Sequence, residues 1–299
     1  MSLKPFRPVL VAMAFSLFMF SAQSARGACV QIYDATLYTN KPALEKFGIR
    51  PIVVANTLHW WRSGESTDNL PSTNAPENWA RTFSKGTSAA DDTPVVIDLE
   101  HWPTSGSAAD VNRSISRMQE LVSRLRASGL RAPLGFYGLL PNRDYWRAIA
   151  TPDSSRYQSW QQENDMTAQI GNFVNIIFPS LYTFYDDQAH WKVYASANLR
   201  EARRLAGGKP VYAFLWPQFH DSNKNLKNQF LSPDFWKLEL ETTAQYADGI
   251  IIWGGWNSRP MNWDDNAPWW ITTKKFLESN DRLCLRDAAP DTVTKLSVH

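Results

Sequence analysis

Short apolar runs alternate with longer stretches of mixed polarity from about residue 50 to residue 257, and the two kinds of segment carry different periods. The runs at 51–56 (PIVVAN), 94–98, 133–139 (PLGFYGL), 174–182 (VNIIFPSLY), 210–216 (PVYAFLW) and 249–253 (GIIIW) are short, rich in β-branched and aromatic residues, and bounded by Pro, Gly or polar residues, which predicts buried strands. Between 108 and 128, the positions Val111, Ile115, Met118, Leu121, Val122 and Leu125 recur at helical spacing, and Gly129 follows as a natural C-terminal stop. Residues 188–205, ended by Gly207-Gly208, and residues 235–246 predict two further helices. Strands alternating with helices of these lengths imply parallel strands joined by helical crossovers. The glycine-rich phosphate turns of the doubly wound nucleotide folds are missing, so the expected fold class is α/β, a (β/α) TIM-like barrel, distorted or with fewer than eight strands.

Such barrels carry their chemistry at the C-terminal ends of the strands. Here the run Val95 to Pro103 (VVIDLEHWP) ends an apolar strand in Asp98, Glu100 and Trp102, which share one side of any continuing extended chain. At about 3.3 Å per residue the two acid Cα atoms lie roughly 6–7 Å apart, so each charge biases the other's pKa. Two acids and an indole on one face suit work on a sugar ring; the alternative for the acids is helix capping or pairing with a buried arginine. The other strand ends carry matching residue types: Tyr137 after 133–139, Tyr182 with Tyr185 and Asp186 after 174–182, Trp216 after 210–216, and Trp253, Trp256 and Asn257 after 249–253. Flat rings with a polar edge suit the C–H faces of sugars. Of the 14 tryptophans, those in the intervening segments, Trp60, Trp61, Trp79, Trp263, Trp269 and Trp270 among them, are expected to be mostly structural.

The first 28 residues place Lys4 and Arg7 before an apolar stretch from about Pro8 to Phe20 and small residues at Ala22 and Ser24. This reads as a secretory signal peptide, too short for a membrane span, and predicts an exported protein, periplasmic or extracellular, with no stable membrane insertion. Without it the formal net charge falls from +2 to −1, which favours neither nucleic acid nor any polyanion. About 270 residues remain, enough for one barrel over 29–285, followed by a polar C-terminal tail at 286–299. The two cysteines, Cys29 and Cys284, are most simply used in a disulfide joining the ends; the alternative of a lipid anchor on Cys29 suffers from Arg26 in the preceding Arg26-Gly27-Ala28. The five histidines show no metal-ligand spacing and no serine-hydrolase elbow occurs, so neither metal nor cofactor is expected. His101 lies beside Glu100 but should point away from the acids' face.

The stretches VVIDLEHWP, LGFYGLLPNRDYW, IIFPSLY, LREARRL, PVYAFLW, FLSPDFWKLELE and GIIIWGGW, in that order over residues 94–257, resemble the hyaluronidase family of glycoside hydrolases. The resemblance implies a polysaccharide substrate, with no obligate protein partner evident. It also implies cleavage of β-linked N-acetylhexosaminides with retention, the substrate's own acetamido group acting as nucleophile. Carried over by position, Glu100 is the acid and base, Asp98 orients the acetamide nitrogen, Tyr182 hydrogen-bonds the acetamide oxygen, and Trp253 or Trp256 walls the sugar. Substrate-assisted hydrolases need only one acid/base and a stabiliser, which this acid pair can supply. For Glu100 to act as an acid near neutral pH, its pKa is expected to be raised by Asp98 and by aromatic walls. The cysteine pair also matches a bridge that ties the termini in that family. The chain departs from the family where a second acid and an arginine usually follow the catalytic acid, since His101-Trp102-Pro103-Thr104 stand there. A hydrolase of chitin or peptidoglycan, a two-carboxylate retaining glycosidase using Asp186 or Asp221, and a non-catalytic carbohydrate-binding barrel remain open alternatives.

Overall fold

The computed structural model describes residues 29–56, 60–85, 92–256 and 261–284. The segment expected as a signal peptide, Asn257 and the C-terminal tail lie outside these. Seven strands are described: β1 (Gln31–Thr36), β2 (Ile49–Pro51), β3 (Val53–Asn56), β4 (Val95–Asp98), β5 (Leu134–Phe136), β6 (Tyr212–Leu215) and β7 (Gly249–Gly254). The helices are α1 (Ala75–Ser84), α2 (Ala108–Ala127), α3 (Tyr145–Ala148), α4 (Ser155–Thr167), α5 (Gln188–Ala206), α6 (Pro233–Tyr246) and α7 (Pro268–Ser279). All ladders are parallel, in a four-stranded sheet of order β2-β1-β7-β6 and a three-stranded sheet of order β3-β4-β5.

The two sheets join at both margins without a continuous ladder. On one side, only Ile52 separates β2 from β3, so one extended run serves both sheets. On the other, residues 175–180 make single bridges to each neighbour, Tyr137 with Phe178, Ile177 with Val211 and Ser180 with Phe214. The expected strand over 174–182 is reduced to single bridges: the Pro179 carbonyl accepts from Phe214 N at 2.9 Å, but Pro179 supplies no N–H in return. Gly135 lets this segment approach β5, because a Cβ there would sit 2.1 Å from the Ile176 carbonyl oxygen. The result is a distorted α/β barrel of the kind the sequence predicted.

Strand alternation sorts the core into two layers. Val95, Ile97, Ile250 and Ile252 pack outward with the helices, whereas Val96, Phe178, Phe214 and Ile251 form a separate inner cluster with Tyr33 and Ile176. Helix ends follow their sequence signals: Ser107 accepts from Asp110 N at the start of α2, Asp187 accepts from His190 N at the start of α5, and Gly129 and Gly207 take positive φ after α2 and α5.

Cys29 and Cys284 form a disulfide closing a sequence separation of 255 residues. Beside it Val30 donates to Arg282 O at 2.7 Å and Cys284 to Val30 O at 3.0 Å, so the bond pins termini that already pair. Closing so long a loop removes loop-closure entropy from the unfolded chain. Replacing both cysteines by serine is therefore expected to lower the unfolding free energy by about 2–5 kcal/mol in urea titrations. An unchanged midpoint would show that the pairing alone holds the ends.

Candidate active site

The inner-facing strand residues dictate what appears above them. Two positions beyond Val96 comes Asp98, two beyond Phe214 comes Trp216, and two beyond Ile251 comes Trp253, so the period that fills the barrel also aims these three side chains at its mouth. There they wall a cavity of about 400 Å³ together with Glu100, Tyr137, Tyr182 and Trp256. Seven residues predicted from sequence thus converge on one opening. Its remaining lining is Val54, Val96, Phe214, Arg143, His220 and Asp221.

Asp98 is half-buried and Glu100 exposed. Burial, and next the neighbouring Glu100 charge, push the Asp98 carboxyl up from 3.8 to about 6. Strand β4 ends at Asp98, and the chain beyond it carries Glu100 toward solvent. Tyr182 is buried, and burial, followed by interaction with Tyr137 and with Asp98, raises its phenol well above the ordinary value. It is a neutral O–H donor throughout the physiological range. Tyr137, pushed up to about 12 mainly by burial, shares a 2.9 Å hydrogen bond with Ser180 Oγ. Trp216 is buried, its Nε1 donating to Gln218 Oε1 at 3.0 Å, whereas Trp256 is 49% exposed and free to meet a ligand.

Three predicted contacts fall outside the cavity. Trp102 is buried, donates from Nε1 to Thr67 O at 2.7 Å and packs on Trp61 and His101; it borders only an adjoining cavity of about 450 Å³. The alternation that links Asp98 to Glu100 fails at Trp102 because the backbone bends at 101–102. Tyr185 packs against Tyr145 and Trp146, and Asp186 beside it is exposed, in the segment that leads from Thr183 to α5. His101 packs its ring against Trp61 and Trp102.

His220 and Arg143 were not predicted as site residues. The His220 ring lies 4.6 Å from Phe184 and 6.1 Å from Trp216, and burial lowers its pKa, which keeps it neutral near neutral pH. Arg143 donates from Nη1 to Ser180 Oγ at 3.1 Å and stacks 4.7 Å over Phe184. Both sit in polar loop sequence without motif spacing, so no sequence signal distinguished them from solvated residues. Among the described residues no group of three or more potential ligands could hold a metal ion, and no helix is long and apolar enough to cross a membrane.

No family model matches the chain. Over 172 residues it is 26% identical to a hyaluronidase of Polybia paulista, covering 53% of this chain and 58% of that protein, and 26% identical to one of Polistes annularis, covering 45% of it. Bee venom hyaluronidase, in its complex with a hyaluronic acid tetramer, superposes with a TM-score of 0.53 at 15% identity, covering 83% of this chain and 95% of that one. The chain is thus similar in sequence to these hyaluronidases and in fold to the bee venom enzyme. The second bee venom crystal structure gives a TM-score of 0.52 at 14% identity, a likeness of fold. The chain spans about half the length of the curated relatives it matches.

Proposed function

We propose that this chain is an exported glycoside hydrolase that cleaves β-linked N-acetylhexosaminide polysaccharide of the hyaluronan or chondroitin kind. The observation that carries the reading is the placement of Asp98 and Glu100, one strand period apart, at the mouth of a barrel whose opening is walled by Tyr137, Tyr182, Trp216, Trp253 and Trp256. The two hyaluronidases of 26% identity support it.

In this reading the sugar packs against Trp253 or Trp256, with its acetamido group beneath the anomeric carbon. The acetamide oxygen attacks that carbon while Glu100 protonates the departing oxygen. Asp98, ionised, accepts the acetamide N–H and stabilises the positive charge that grows on the oxazolinium ring. The neutral Tyr182 phenol donates to the acetamide oxygen and fixes its line of attack. Glu100, now a carboxylate, takes a proton from water as it opens the ring, and two inversions give net retention.

Asp221 also lines the cavity, and direct attack by its carboxylate would retain configuration as well. The acetamide separates the two routes. Purified protein should release N-acetylhexosamine reducing ends from hyaluronan or chondroitin, with the β-anomer formed first by NMR, and should leave de-N-acetylated polymer uncut. Cleavage of the de-N-acetylated polymer would transfer the nucleophile role to Asp221. Binding of polymer without turnover would make the chain a carbohydrate-binding barrel.

A further inference from the structure

Among the described residues, the charged groups around the catalytic opening are uneven: Asp98, Glu100 and Asp221 are acids, and Arg143 is the one permanent cation. An acidic polymer entering this opening would meet net repulsion unless one of its carboxylates reached Arg143. The adjoining cavity shares Glu100, Tyr137 and Arg143 with the first, so Arg143 stands where the two meet. The other arginine there, Arg147, is committed to Asp144 and Glu163 at 2.6 and 2.5 Å. Arg143 has no acidic partner within 4.0 Å among the described residues.

Its side chain is nevertheless held. Stacking on Phe184 fixes the guanidinium plane, and the bond from Nη1 to Ser180 Oγ fixes its rotation; Ser180 is in turn bonded to the Tyr137 hydroxyl. Only Nη1 is engaged with the described residues, which leaves the Nε and Nη2 edge as a planar fork for a carboxylate. A cation that is exposed, pre-oriented and unpaired beside three acids is a recognition element rather than a structural one.

We infer that Arg143 reads the carboxylate of a hexuronic acid in the bound polymer, and so sets the preference of this opening for acidic over neutral glycans. The inference rests on the polysaccharide reading above but not on turnover. Asp98 and Glu100 handle the N-acetylhexosamine, and Arg143 reads the acid sugar in the same chain. A neutral polymer of the same linkage would bind without its help.

The test is calorimetric titration of the Glu100→Gln protein with short hyaluronan oligosaccharides and with the same oligosaccharides after carboxyl reduction, which turns glucuronate into glucose. The acidic form should bind about tenfold to a hundredfold more tightly, as expected for a charge-assisted bidentate pair. Adding Arg143→Gln should collapse that ratio to about one, and Arg143→Lys, which keeps the charge but not the fork, should leave an intermediate ratio. The inference is overturned if Arg143→Gln weakens both ligands equally, if the two bind alike before the change, or if neither binds. Full hydrolysis by Glu100→Gln would sink the catalytic proposal instead, and the ratio would still report on Arg143.

Discussion

Glu100→Gln is expected to lower kcat on the polymer that the native chain cleaves by about a hundredfold to ten-thousandfold, with KM little changed. The side chain is exposed two residues beyond the end of β4, so the amide should fold normally and occupy the same place. What it loses is the proton for the departing oxygen and, in the second step, the base for water. These losses are separable with an aryl glycoside whose leaving group departs without protonation. Release of the phenol should then recover, and hydrolysis of the oxazolinium intermediate should become limiting, seen as a burst followed by slow turnover. Equal losses on both substrates would point to damage of the site's shape. Undiminished turnover on the natural polymer would remove Glu100 from the mechanism.

The acid pair could be read from sequence because its position depends on one local rule. Val96, Asp98 and Glu100 are separated by the strand period, and that period survives folding up to Glu100. Trp216 and Trp253 follow from the same rule on β6 and β7. Trp102 obeys it in sequence but not in space, since the backbone bends before it and its indole is worth more in the core against Trp61. Helices α2 and α5 were legible from amphipathic spacing and terminal glycines. Helix α4 was not, because its apolar residues show no consistent face, and β1 was not, because Asp34 interrupts its apolar run. Asp34 is nonetheless at home there, with Lys41 Nζ at 2.5 Å. Arg143 and His220 reach the opening only through the course of their loops. No period encodes that path, so tertiary structure was needed to find the cation on which substrate preference is proposed to turn.

Asp98→Asn should separate function from stability. The folded-state pKa of Asp98, about 6, stands above the 3.8 of an ordinary aspartate, and burial is the first cause. Between those two values the folded chain keeps a proton that the unfolded chain has lost, so stability falls as pH rises through this window and stays lower above it. The shift corresponds to an upper bound of about 3 kcal/mol at neutral pH, reduced to about 2 by residual solvent contact. Asparagine carries no such charge. The variant should therefore be more stable than the native chain above pH 6.5 by about 2 kcal/mol in urea titrations, with the difference vanishing below about pH 4. Its kcat should nonetheless drop by about a hundredfold or more, because a neutral amide cannot offset the positive charge of the oxazolinium ring. The native chain's activity should also decline on the acid side near pH 6, as Asp98 takes up its proton, and the weak residual activity of Asp98→Asn should lack that limb. A variant that is less active but no more stable at neutral pH would mean that Asp98 is not held as a strained carboxylate. In that case its role would lie in shaping the site rather than in supplying charge.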